Sequence, residues 1–157
     1  MIIEAPHKLS VRDVAVPEVG PNEVLVAVKA CGLCGTDQHI YEGTFLSPYP
    51  LIPGHEFSGV VEEVGENVSS VRVGVRVAVD PSLFCGDCYF CKSQRGNHCQ
   101  NWNGIGVTRN GGFAEYVAVP ARNVYPFSND VTFEEAAFVE PLSCVIYAMQ
   151  RVRVWPG

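Results

Sequence analysis

Positive charge is scarce in this sequence. It has 11 Lys and Arg against 17 Asp and Glu, a formal net charge of −6, and its basic residues stand singly. No stripe is available to neutralise a phosphate backbone or anionic lipid, so nucleic acid and membrane surfaces are excluded as expected partners. Long apolar runs are lacking too. None approaches the roughly 20 residues needed to cross a bilayer, and residues 1–6 lack the basic-then-apolar pattern of an export leader. The expected location is the cytoplasm, where Asn67-Val68-Ser69 is turn chemistry rather than a glycosylation site. Helical periodicity is missing before residue 130, which excludes a helical bundle. Missing as well is a glycine-rich strand-to-helix turn followed by an acidic residue, the element that binds a dinucleotide. Gly104-Ile105-Gly106-Val107-Thr108-Arg109 begins like one, but Arg109 takes the place of the third glycine and strands surround it.

An apolar content of 47% is enough to build one main core at this length. Val24, Val26 and Val28 alternate with Glu23, Leu25, Ala27 and Lys29, which predicts a half-buried strand. Gly59 to Val64 reads as a second strand ending at Gly65. The alternating valines 71, 73, 75, 77 and 79 read as a third, and Tyr116 to Val119 as another that stops at Pro120. Pro and Gly punctuate these runs at intervals typical of a β-barrel or sandwich, and there are no internal repeats. The character changes after residue 130. Thr132-Phe133-Glu134-Glu135 is a capping box opening a helix to about Val139, and Pro141 suits the first turn of a second helix. Leu142, Val145, Ile146 and Met149 give that helix one apolar stripe, with an end expected near Arg153 and turn residues at Trp155-Pro156-Gly157. The fold class expected is mainly β, a barrel over residues 1–130, with helices in 131–157.

Four of the seven cysteines crowd into one loop. Cys85-x-x-Cys88-x-x-Cys91 followed by Cys99 offers four soft thiolates at the close spacing that tetrahedral zinc prefers. With all four positions filled by protein, such a zinc is structural. The same thiolates can hold an iron–sulfur cluster, and ordinary buried or redox cysteines are the bland alternative. A second set is Cys34, His55 and Glu56, a mixed thiolate, imidazole and carboxylate group of the kind that leaves a catalytic zinc one open position. The alternative makes Cys34 an apolar filler and His55 a satisfied loop histidine. Cys31-x-x-Cys34 imitates a redox pair, but Gly35 and Gly43 break the helix such a pair requires, so Cys31 reads as core. Cys144 reads as packing.

Taken in order, Cys34-Gly35-Thr36-Asp37-x-His39, Pro53-Gly54-His55-Glu56, the four-cysteine loop, Gly111-Gly112-Phe113-Ala114-Glu115-Tyr116 and Glu140-Pro141-Leu142 resemble the zinc-dependent medium-chain alcohol and polyol dehydrogenases. The sorbitol dehydrogenase-like branch is the nearest in pattern. The resemblance implies that the barrel is a GroES-like catalytic domain. It implies two zincs per chain, one structural and one catalytic, the latter held by Cys34 and His55 with Glu56 beside it and Glu140 approaching directly or through a water. A secondary alcohol or polyol would be oxidised to a ketone with NAD(P). Thr36 would take the substrate proton and His39 would pass it to water, with Asp37 orienting a ligand from behind. A small-molecule alcohol is the implied partner, and homo-oligomerisation of the intact enzyme is left open.

Two departures stand out. Val75 replaces the aspartate of the family's Gly-Asp-Arg-Val turn. The cofactor domain that comes next in the family is absent, so this chain is expected to be a truncated gene product or isolated domain that binds zinc without turnover. The rivals are a free-standing zinc module docking through its helix stripe, and a redox or metal-transfer protein.

Overall fold

A computed structural model describes residues 1–152. Strands β1 (Ile2–Ala5), β2 (Lys8–Ser10) and β3 (Glu23–Gly32) are followed by helix α1 (Gly35–Glu42), then by β4 (Glu56–Val64), β5 (Arg76–Val79) and β6 (Ser82–Leu83). Helix α2 (Tyr89–Lys92), strands β7 (Asn103–Gly104), β8 (Tyr116–Pro120) and β9 (Val124–Pro126), and helices α3 (Phe133–Ala137) and α4 (Val139–Val152) complete the order. The main sheet runs β8-β3-β4-β5-β9, antiparallel throughout.

The edges of that sheet show why it is a barrel. β8 and β9 lie at opposite edges, yet only the 3-10 turn Ala121–Asn123 separates them in the chain. Five flat strands would hold their edges about 19 Å apart, whereas four residues reach about 14 Å at most. The sheet must curl to bring the end of β8 and the start of β9 within that reach. Val24, Val26, Phe57, Val61, Val77 and Val119, each at most 1% exposed, fill the interior.

The predicted strand at residues 23–29 is present, but it is not half-buried. Leu25 and Ala27, on the opposite side from Val24 and Val26, are only 7% and 3% exposed, because α3 packs against β3, β4 and β5. The strand expected across 71–79 shrinks to β5. Residues 71–75 instead form a turn, in which the Gly74 N–H donates to Val61 O at 2.8 Å and the Val61 N–H to Val75 O at 2.9 Å. Val75, standing where the family pattern has an aspartate, packs its partly buried side chain against the barrel core. Asn67 and Val68 do form a turn, their N–H groups bonded to Pro21 O and Gly65 O.

The largest correction concerns α1, a helix that the sequence pattern does not predict. The two glycines that read as breakers bound the helix instead. Gly43 closes it in a left-handed conformation, φ 76°, with its N–H on the carbonyls of His39 and Ile40. Ile40, fully buried, fastens α1 to Ile3, Leu51 and Val107 in a second small core. α2, a single turn, is likewise too short to leave a periodic signal. The α3 capping box is present as predicted, with the Glu135 N–H donating to Thr132 Oγ1 at 3.2 Å and the Thr132 N–H to Glu135 Oε2 at 2.8 Å. α3 ends at Ala137, earlier than expected, and Pro141 sits in the first turn of α4. The predicted end near Arg153 and the turn at residues 155–157 fall outside the described residues. No described element covers Leu142, Val145, Ile146 and Met149, which are 46–55% exposed. Cys144 is also exposed rather than packed, for the same reason.

Candidate metal centres

Cys85 comes after β6, Cys88 precedes α2, Cys91 lies within α2, and Cys99 comes after a 3-10 turn at Gly96–His98. Their ligand atoms all lie within 4.8 Å of one another. Sγ of Cys85 is 3.9 Å from that of Cys91, and the Cys85 N–H donates to Cys99 Sγ at 3.3 Å. A zinc–sulfur bond of about 2.3 Å implies sulfurs about 3.8 Å apart at tetrahedral corners, so the loop already has the dimensions of a four-thiolate zinc. Electrostatics agree. The Cys85 thiol is held down by the backbone N–H groups of Cys88 and Asp87, and Cys88 by those of Cys91 and Gln100, while Cys91 is pushed up by burial and by its neighbouring sulfurs. Four thiolates this close cannot all ionise without a cation between them. Arg95, over the rings of Tyr89 and Phe90 at 5.5 and 5.4 Å, braces the loop from outside.

The second centre is assembled from separate loops. Cys34 lies between β3 and α1, and His55 directly precedes β4, which Glu56 opens and which pairs with β3 so that Gly32 faces Glu56. The ligand atoms of Cys34, His55 and Glu56 lie within 4.8 Å of one another. A thiolate, an imidazole and a carboxylate in this arrangement fit a tetrahedral zinc with one position left for substrate or water. Glu140 stands outside that group. It feels the charges of His55, Glu56 and Asp80, and burial above all raises its pKa. Its Oε1 is 3.9 Å from Cys144 Sγ.

Asp37 holds the centre together. It is 3% exposed, its Oδ2 accepts the Cys34 N–H at 2.9 Å, and its Oδ1 accepts the Gly54 N–H at 3.1 Å. Both ligand-bearing loops are thus tied to one carboxylate. His55 Nδ1 lies 3.5 Å from Asp37 Oδ1 and is buried with no hydrogen-bond partner. Behind His55, the segment after β7 locks onto residues 52–54. Gly111 N–H donates to Ile52 O at 2.8 Å, Gly112 N–H to Gly54 O at 2.7 Å and Phe113 N–H to Pro53 O at 3.0 Å.

Burial works against a charged His55, but the negative charge of Asp37, whose carboxylate lies 3.5 Å away, outweighs it with help from Cys34 and raises the ring from 6.5 to about 9. Because the folded value lies above the unfolded one, the stabilisation is complete below pH 6.5 and disappears as pH rises through 9. The metal-stripped chain should therefore lose up to about 3 kcal/mol of stability across that window. Thermal melts of the stripped chain and its His55→Gln variant check this, since the variant should show a flatter profile. A level wild-type profile would contradict it. A bound cation requires the neutral ring, so metal affinity should rise over the same range.

Thr36 Oγ1 is 3.7 Å from Cys34 Sγ, at the rim of the cluster. His39 is one helical turn further on and exposed, with Nδ1 3.2 Å from Thr44 Oγ1 and 3.8 Å from Glu42 Oε2. Cys31 is partly buried and packs against the barrel core, its thiol pushed up to about 12 by burial and then by the charges of Asp37 and Glu56. Asp80 is a residue that sequence reasoning misses. Burial raises its pKa, its Oδ1 accepts the Ser82 N–H at 2.8 Å, and its charge reaches Glu140 and Cys144. The available signal is an acid placed directly between the strand Val77-Ala78-Val79 and Pro81.

Residues 20–129 match the family model described as the alcohol dehydrogenase GroES-like domain. The chain is 44% identical over 154 residues to D-arabinitol dehydrogenase 1 of Uromyces fabae, covering 98% of this chain and 44% of that protein. It is 42% identical over 143 residues to L-threonine 3-dehydrogenase of Rhizobium etli, covering 88% of this chain and 41% of the relative. The crystal structure of galactitol-1-phosphate dehydrogenase from Escherichia coli superposes with a TM-score of 0.91 at 33% identity, over 97% of this chain and 44% of the other. The chain thus spans less than half the length of the relatives it matches.

Proposed function

This chain belongs to the alcohol dehydrogenase GroES-like domain family of zinc-dependent medium-chain dehydrogenases, and on that footing we propose that it is the catalytic-domain part of an enzyme oxidising a secondary alcohol or polyol to a ketone with NAD(P). The observation that carries the reading is the convergence of Cys34, His55 and Glu56 from two loops that Asp37 ties together. Those three side chains would hold a catalytic zinc, with Glu140 completing its surroundings, and Cys85, Cys88, Cys91 and Cys99 would hold a structural one. When bound, the catalytic zinc supplies Lewis acidity that makes a substrate hydroxyl more acidic.

The remaining work falls to this chain's own groups. Thr36, beside Cys34, is placed for its hydroxyl to take the substrate proton, and the exposed His39 on the same helix is placed to release it to water. Asp37 keeps the His55 ring oriented, a role carboxylates commonly serve behind metal-bound histidines. The exposed α4 face favours a second reading, in which the chain is a zinc module that docks on a protein partner.

Metal analysis and calorimetry separate the two readings. Two zincs per chain support the catalytic centre, while one, lost on Cys91→Ser, supports a structural module. NADH titrated at millimolar concentration should give no saturable binding to this chain alone, since it lacks a dinucleotide turn. Saturable binding would overturn that part of the proposal.

A further inference from the structure

Arg76, at the start of β5, touches neither centre. Its guanidinium lies over the rings of Phe127 and Phe133, 4.8 and 4.4 Å from their centroids, and those rings meet edge to face at 5.8 Å. Nη1 donates to Asn129 O at 3.0 Å and Nη2 to Val131 O at 2.7 Å. Its own carbonyl accepts the Phe127 N–H at 3.2 Å, and its Nε is buried without a partner. One planar cation therefore grips the whole connection between β9 and α3.

That connection leads through α3 to α4 and Glu140. Thr132 caps α3, and Ser58 of β4, fully buried, donates its hydroxyl to Phe133 O at 2.6 Å. α3 abuts α4, and Glu140 is the second residue of α4. α3 has five residues, too few to be stable by its own hydrogen bonds. Its place on the sheet is set by the packing of its buried Ala136 and Ala137 against the strands and by what holds its start.

We propose that Arg76 is a positioning residue for the mixed centre: by fixing where α3 and α4 begin on the sheet, it sets where the Glu140 carboxylate stands toward His55 and Glu56. The inference rests on the reading of Glu140 as a contributor to that centre. A lysine keeps the charge but lacks the rigid fork that sits against two rings while donating to two carbonyls.

Cobalt(II) titration of the metal-stripped chain tests it, because a four-thiolate and a mixed centre absorb differently and their affinities are read separately. Arg76→Met should weaken the mixed centre about tenfold, the scale of losing a group that orients a ligand, and leave the four-thiolate affinity unchanged. Glu140→Gln should weaken the mixed centre as well, and adding Arg76→Met to it should cause no further loss, because the arginine acts through that carboxylate. Losses that multiply in the double variant, or an unchanged affinity in Arg76→Met, would overturn the inference. Should Arg76→Met lose both centres by unfolding, Arg76→Lys carries the same comparison. If Glu140→Gln has no effect, the reading of Glu140 fails and the inference falls with it, whereas an effect of Glu140→Gln without one of Arg76→Met sinks the inference alone.

Discussion

Cys91→Ser should remove one equivalent of zinc per chain and lower the melting temperature by about 10–15 °C, the shift expected from losing ~3–5 kcal/mol in a domain of this size. The loop's geometry is the reason. Residues 84–102 contribute little to the barrel core, and of the four cysteines only Cys99 is buried. Two residues of β6, two of β7 and one turn of α2 cannot hold this excursion by hydrogen bonding alone. A bound cation would serve as its core. Removing one thiolate leaves three sulfurs of mutually opposed ionisation and frees the segment to open. Elemental analysis and a thermal melt check both parts, and chelation of the wild type should reproduce the melting shift. A variant with unchanged metal content would refute the assignment of this loop.

Gly111→Ala should be nearly as damaging, although Gly111 is neither a ligand nor a neighbour of one in sequence. A Cβ at that position would drive into the Gly54 carbonyl oxygen and the Gly106 backbone. Backbone cannot step aside as a side-chain tip can. Relieving the clash separates residues 111–113 from residues 52–54, breaking three hydrogen bonds and displacing Gly54, whose N–H meets Asp37. The cost should be about 3 kcal/mol, at the upper end of overpacking, or a fall of roughly 10 °C. Affinity at the mixed centre should fall with it, while the four-thiolate loop keeps its zinc. Melting and cobalt(II) titration measure the two effects, and a variant that melts with the wild type would show that the close approach at Gly111 is not required.

The two centres differ in how far the sequence exposes them. The four-cysteine loop is legible because all its ligands share one short stretch, where spacing limits what can lie within a metal's reach. The capping box at Thr132 and Glu135 is legible for the same reason, its two hydrogen bonds closing over three residues. Strands are legible where they alternate for several residues and are lost where they are two or three residues long. The valines of 71–79 show the limit of periodicity, since a turn can carry alternating valines when the core lies beside it. α1 shows the same limit in reverse: a glycine at a helix end reads as a breaker until its left-handed cap is seen.

The sequence alone therefore determines chemistry held within a few residues: the thiolate set of the loop, the donor types of the second centre, the start of α3, and a net charge of −6. Only the tertiary structure decides which distant donors meet. The β3–β4 register brings Cys34 to His55 and Glu56. Asp37 binds both loops, the Gly111–Gly54 contact backs the histidine, and Arg76 grips the connection that leads to Glu140, which stands outside the three-ligand group. The physical reason is that these pairings arise from the curl of one sheet and the packing of its loops. Their free energy comes from contacts between residues far apart in the chain, and no local pattern of residue types records them.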